Sequence, residues 1–287
     1  MTMTPTIQIQ LEQVRPVSDG STVRTAADAS RGFDLRKIAE LTPAAAAAKR
    51  EVNDKGLLSL VEIYNSVKGE GTQAGIPMTF VRFSGCNLAC DFCDTPYNRV
   101  AIRMTEDQLV DYIRKQETAW VIFTGGEPTL QLKKSLTERL KSMGVRMAIE
   151  TNGMIWTDAF LDLDYINISP KTAFTTPNDS IPVEKRIAPK LVAAVAEGKV
   201  RINEVRYIIG GPKDDIFELP VSADFITISP MMHDCEPNAN FESGKGHSSM
   251  YGIVNQSSLN RCMELVWRYR HLNARLSVQV HKFVGVR

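Results

Sequence analysis

Three cysteines stand together in the segment GCNLACDFCDT, Gly85 to Thr95, with the spacing Cys86-x3-Cys90-x2-Cys93. Thiolates placed this closely can hold three irons of a four-iron, four-sulfur cluster and leave the fourth iron open to an incoming ligand. The same sulfurs with Asp91 or Asp94 as a fourth ligand would make a tetrahedral zinc site. The remaining two cysteines read differently. Cys262 follows Leu259 by three and precedes Val266 by four, the spacing of a buried helix position, and Cys235 falls in a polar stretch as an exposed thiol.

Other chemistry-bearing groups fall where strands should end. Gly125-Gly126-Glu127-Pro128 follows the apolar run Ala119 to Thr124, and glycines there let backbone carbonyls approach a ligand without a Cβ in the way. Asn152 in Thr151-Asn152-Gly153, Ser169 in Ser169-Pro170-Lys171 and Ser229 in Ser229-Pro230 likewise follow apolar runs, either to reach a ligand or to cap their own loops.

The elements that must position these groups alternate. Strands are expected over Leu60 to Tyr64, Met78 to Phe83, Ala119 to Thr124, Val145 to Glu150, Tyr165 to Ile168, Val205 to Ile209, Phe225 to Ile228 and Leu276 to Val280. Between them lie helix patterns. Thr105 with Gln108 forms a capping box ahead of Leu109, Tyr112 and Ile113. Leu132, Leu136, Leu140 and Met143 precede a stop at Gly144, Pro189 to Glu197 is closed by Gly198, and a long helix spans about Leu259 to His271. Alternation of this kind implies a parallel sheet with the functional groups at the C-terminal strand ends. Some six units are too few for a closed eight-stranded barrel, so the expectation is α/β, a partial, open β/α barrel. Residues 58–287 form that domain and 1–57 an N-terminal extension, with a helix starting at Thr42-Pro43 and ending near Gly56. Thr172 to Pro182 and Asp234 to Gly252 fit neither pattern, and the second reads as a lid or loop.

Composition narrows the classes. With 34 basic and 33 acidic side chains there is no global field to draw nucleic acid. No apolar run is long enough for a membrane span, and the first residues lack the apolar core of a signal peptide, so the expected location is the cytoplasm.

The cysteine spacing and the GGEP segment resemble the radical S-adenosylmethionine superfamily. GEG at Gly69 to Gly71, FVRFSGCNLAC at Phe80 to Cys90, CDT at Cys93 to Thr95, ETNG at Glu150 to Gly153 and QVHK at Gln279 to Lys282 resemble, within it, the 7-carboxy-7-deazaguanine synthase family. The resemblance covers about Leu58 to Arg287. It implies that Cys86, Cys90 and Cys93 ligate a 4Fe-4S cluster whose open iron binds S-adenosylmethionine. Phe92, Gly125, Gly126, Glu127, Asn152, Ser169 and Ser229 would contact that cofactor. Arg82 would bind the carboxylate of a pterin substrate, and Glu70 would accept from its guanidine-like edge. Thr95 would give a hydroxyl oxygen to Mg2+, with His281 and the terminal carboxylate of Arg287 closing the pocket. Two positions depart from the family pattern: Lys68 stands where glutamine is usual, either holding the substrate carboxylate or facing solvent, and Arg287 replaces a small or proline ending.

The implied reaction is radical ring contraction of 6-carboxy-5,6,7,8-tetrahydropterin to 7-carboxy-7-deazaguanine with loss of ammonia, a lyase step in 7-deazapurine and queuosine biosynthesis. It further implies a flavodoxin-like or ferredoxin-like reductant and a homodimer. The rival expectations are a glycyl-radical enzyme activase, or a non-catalytic iron–sulfur or zinc protein.

Overall fold

The computed structural model describes residues 56–90, 93, 95–171, 185–232 and 255–284. Nearly all of the N-terminal extension, the stretches Thr172 to Pro182 and Asp234 to Gly252, and Asp91, Phe92, Asp94, Cys235 and Arg287 lie outside the described residues.

The described strands are β1 (Leu57–Val67), β2 (Pro77–Phe83), β3 (Ile102–Thr105), β4 (Trp120–Gly125), β5 (Arg146–Thr151), β6 (Tyr165–Ile168), β7 (Ile202–Ile209), β8 (Ala223–Pro230) and β9 (Ala274–Leu276). They form one open sheet in the order β3-β1-β2-β4-β5-β6-β7-β8-β9. From β2 through β4 to β9 every neighbouring pair is parallel, as the strand–helix alternation requires. The helices are α1 (Glu106–Gln116), α2 (Lys134–Ser142), α3 (Pro189–Ala196), α4 (Gln256–Arg268) and α5 (Val280–Val284). The Thr105–Gln108 capping box starts α1 and buries Leu109, Val110 and Ile113, while Cys262 is fully buried on α4. None of these helices is long and apolar enough to cross a membrane.

Three elements differ from the sequence expectation. β1 is longer than Leu60 to Tyr64 and antiparallel to both neighbours. β3 is too short and too mixed in character to show a period of two, and forms because Leu57–Leu60 offers it a ladder. The expected strand Leu276 to Val280 ends at Leu276, and Val280 begins α5. There the Val280 N–H donates to Gly69 O at 2.7 Å, so the chain leaves the sheet and crosses to the GEG loop.

Side-chain alternation assigns the sheet two tasks. Val81, Phe83, Val121, Phe123, Met147, Ile149, Ile166, Ile168, Val205, Tyr207 and Ile209 join one hydrophobic core with residues of α1–α4. The intervening residues point to the other face. At its N-terminal strand ends Met78, Trp120, Ile122, Ala148 and Tyr165 form a second, smaller cluster. Beyond them, towards the C-terminal ends, that face turns polar.

Candidate active site

One cavity opens at the C-terminal ends of the parallel strands. Its walls include Cys86, Cys90, Cys93, Thr95, Gly125, Gly126, Glu127, Asn152, Ser169 and Ser229, together with Lys68, Glu70, Arg82 and His281. Every described candidate from the sequence therefore reaches one place, and the geometry separates their roles.

The cysteine loop leaves β2 and is clamped by the turn after β4. Gly126 N–H donates to Phe83 O at 2.9 Å, and Glu127 N–H to Gly85 O at 2.8 Å. A Cβ on Gly126 would lie 2.0 Å from Gly85 O, and one on Gly125, at φ +110, would lie 2.4 Å from Phe83 O. The two glycines are thus required by chain packed against chain. The Glu127 carboxylate is fully buried and accepts from Thr129 N, Thr129 Oγ1, Thr151 Oγ1 and Asn152 N at 2.6–3.1 Å. Burial pushes its carboxyl up, and those donors oppose the shift. Glu127 therefore ties the β4 and β5 loops to the cysteine loop with its side chain already spent. Asn152 acts similarly, donating to Asn87 Oδ1 at 2.7 Å and accepting from Met154 N at 2.9 Å. Ser169 Oγ accepts from Lys171 Nζ at 3.0 Å, while the buried Ser229 Oγ has no hydrogen-bond partner among the described residues.

Burial, and next the nearby Glu127, push the Cys86 thiol far up. A free nucleophilic thiolate is disfavoured there, and a thiolate needs a cation beside it.

On the opposite wall Arg82 is engaged by the protein itself. Its Nε donates to Glu62 at 2.9 Å, Nη1 to Thr95 Oγ1 at 2.8 Å and Nη2 to Tyr64 OH at 3.2 Å. Antiparallel pairing sets Glu62 directly opposite Arg82, so this ion pair follows from β1's direction. Lys68 does not face solvent: it is buried and ion-paired with Glu150. Glu70 is engaged as well: Arg206 Nη2 lies 3.0 Å from its Oε1. His281 lies on α5 rather than after a strand, with its ring against Gly69, where a Cβ would lie 1.7 Å from Nδ1.

Glu150, Glu204 and Arg206 were not singled out from the sequence. Arg206 Nη2 reaches Glu150 Oε1 at 3.0 Å, and Glu204 accepts from Tyr165 OH at 2.6 Å, Thr72 N at 3.0 Å and Thr227 Oγ1. For two of them the signal was present: Glu204 and Arg206, two apart in the largely apolar strand INEVRYII, cannot belong to the hydrophobic face.

These pairs carry a pH dependence. Burial opposes the charge of Glu150, but Arg206 and then Lys68 outweigh it and hold the carboxyl below its ordinary 4.5. Glu204 is also lowered, burial again being outweighed by Arg206 and by the Thr227 and Tyr165 hydrogen bonds. Folded values below unfolded ones stabilise the fold above the unfolded pKa, and that contribution is lost as the pH falls below about 4.5. Urea midpoints measured from about pH 7 to about pH 3 should fall below about pH 4.5, and Glu204→Gln should flatten that fall. An unchanged acid limb in the variant would refute the assignment.

An open, largely parallel sheet with a three-cysteine loop after β2 and a glycine turn after β4 defines a class of enzyme, and residues 80–207 match the model of the Radical SAM superfamily. The 7-carboxy-7-deazaguanine synthase of Haemophilus influenzae is 34% identical over 232 residues, which cover 79% of this chain and 93% of that relative. The synthase of the same name from Bacteroides thetaiotaomicron is 30% identical over 226 residues, covering 79% and 97%. The chain belongs to the family of 7-carboxy-7-deazaguanine synthases. A crystal structure of QueE from Escherichia coli shares the fold with a TM-score of 0.51 at 19% identity, over 81% of this chain and 98% of that one.

The superfamily implies a 4Fe-4S cluster and S-adenosylmethionine. The residues present fit them: three thiols share one cavity wall, their loop is locked by the Gly125-Gly126 turn, and the unpartnered Ser229 Oγ lines the same cavity.

Proposed function

We propose that this chain is a 7-carboxy-7-deazaguanine synthase acting on 6-carboxy-5,6,7,8-tetrahydropterin, with Cys86, Cys90 and Cys93 as cluster ligands. The observation that carries this reading is the meeting, in one cavity, of the three-cysteine loop with a buried acid–base wall made of Lys68, Glu70, Glu150 and Arg206. A bare radical enzyme has no use for such a wall, whereas a pterin needs it to satisfy its polar edge. When bound, the cluster and S-adenosylmethionine supply a hydrogen-abstracting radical. The protein holds the pterin at near contact and keeps water and its own C–H groups out of reach. The cofactor would meet backbone of the Gly125-Gly126 turn and the Ser229 and Ser169 hydroxyls, with Glu127 and Asn152 fixing the loops behind.

Magnesium belongs to this reading through Thr95. Its hydroxyl already accepts from Arg82, so ion binding there fits if the substrate carboxylate takes over the guanidinium. The ion would add positive charge beside that carboxylate. Thr95→Ala should abolish the response of turnover to magnesium and leave the cluster spectrum unchanged. If wild-type turnover is the same with and without magnesium, Thr95 is a turn residue held by Arg82. A homodimer and a flavodoxin-like or ferredoxin-like reductant complete the proposal.

The test is anaerobic incubation of the reduced enzyme with S-adenosylmethionine, magnesium and 6-carboxytetrahydropterin, followed by mass analysis. A carboxylated deazaguanine and ammonia, without net consumption of S-adenosylmethionine, is the expected result. Cofactor cleavage with the pterin untouched would overturn the substrate assignment.

A further inference from the structure

Arg206 has unused donors. It is 4% exposed and lines the cavity, and its Nη2 bridges Glu70 and Glu150 at 3.0 Å each. Its Nε and Nη1 have no hydrogen-bond partner among the described residues. Buried N–H groups of a guanidinium are costly to leave unmatched, so their presence in a binding cavity calls for an acceptor.

The surroundings fix where that acceptor must lie. Glu204, two residues earlier on the same face of β7, accepts from Thr72 N at 3.0 Å and from Tyr165 OH at 2.6 Å. Its carboxylate fills the space beside Gly71, where a Cβ would lie 2.6 Å from both oxygens. β7 therefore anchors the Glu70 loop twice, through Glu204 on its backbone and through Arg206 on the Glu70 side chain. Glu150 is also met by Lys68 and, at 3.3 Å, by Thr124 Oγ1, which balances its charge inside the protein. Glu70 and Arg206 thus stand side by side, an acceptor next to a donor.

This inference rests on the pterin reading above. The pyrimidine edge of a pterin presents the 2-amino group, N3–H and the C4 carbonyl in sequence: donor, donor, acceptor. A carboxylate accepts from the first two, and a guanidinium beside it donates to the third. We propose that Arg206 is a specificity-determining residue that reads the C4 carbonyl oxygen of the substrate next to Glu70. It selects a 4-oxo over a 4-amino ring together with Glu70, because the amino group would turn a donor against the guanidinium while the ring N3, without its hydrogen, would turn a lone pair against the carboxylate.

Two stable probes test this without turnover: 6-carboxypterin and 2,4-diaminopteridine-6-carboxylate, each titrated by fluorescence into the reconstituted holoenzyme with S-adenosylmethionine near pH 7.5. The wild type should bind the 4-oxo probe roughly 10- to 100-fold more tightly. Arg206→Lys keeps a positive charge between Glu70 and Glu150 but loses the planar fork, so the preference should fall several-fold, the remainder coming from Glu70 and the ring N3–H, with iron content and circular dichroism unchanged. Equal binding of the two probes by the wild type overturns the inference, as does a full preference retained in Arg206→Lys. If that variant does not fold, Arg206→Gln takes its place in the same comparison: a reduced preference supports the inference and a full one overturns it. Conversion of 6-carboxytetrahydropterin together with equal probe binding removes Arg206 from recognition and leaves the activity standing. Neither conversion nor binding of either probe removes both.

Discussion

Replacing Cys86, Cys90 or Cys93 with serine is expected to abolish turnover and to lower iron well below the roughly four atoms per chain of a complete cluster. The three thiols differ in exposure, from buried Cys86 through half-buried Cys90 to exposed Cys93, yet all line one cavity. Loss of any one leaves two sulfurs, and a serine hydroxyl is a poor substitute because it stays protonated at neutral pH. Cys262→Ser is the control. That thiol is fully buried on α4, its pKa pushed up to about 12 by burial and then by Asp214, and it is far in sequence from the cluster loop. Its replacement should leave iron and sulfide content unchanged. Iron, sulfide and zinc analysis after anaerobic reconstitution reads all four variants. Stoichiometric zinc with no iron uptake in the wild type would reverse the assignment of the cysteines.

Gly126→Ala should be nearly as damaging, although Gly126 carries no side chain to lose. The added Cβ would sit 2.0 Å from Gly85 O and 3.0 Å from Tyr97 Cβ. The obstacle at Gly85 is backbone, which cannot rotate aside, and Gly85 precedes the first ligand. We expect a stability loss on the order of 1–3 kcal/mol, incomplete cluster assembly and at least a roughly tenfold fall in turnover. Gly144→Ala separates this from a general effect of alanine. Gly144 has φ +75 but nothing within 4 Å of a Cβ, so only local strain of about 1 kcal/mol is expected, with the cluster intact. Cluster content equal in the two variants would show that the Gly126 turn does not hold the cysteine loop.

The sequence by itself determined what is local or periodic. The Cys-x3-Cys-x2-Cys spacing narrowed the chemistry to an iron–sulfur cluster or a zinc site, because all three thiols come from a single loop. The Thr105–Gln108 box started its helix because both partners lie within one turn. The parallel strands were legible because apolar runs of this length, separated by helix patterns, can be buried in few other ways. Tertiary structure decided whatever depends on groups distant in the chain. Arg82 meets Glu62 because β1 runs antiparallel to β2, a direction no residue in β1 encodes alone, and meets Thr95 because the cysteine loop folds back over the end of β2. Glu127 looked like a ligand-binding group and became the brace of three loops, because the ends of β4 and β5 deliver Thr129, Thr151 and Asn152 around it. His281, expected just after a strand, lies on α5, where the Gly69 carbonyl accepts from the Val280 N–H. Lys68, Glu70, Glu150, Glu204 and Arg206 are dispersed over β5, β7 and the turn that follows β1. They make one charged wall only because the register of a parallel sheet brings its polar positions level.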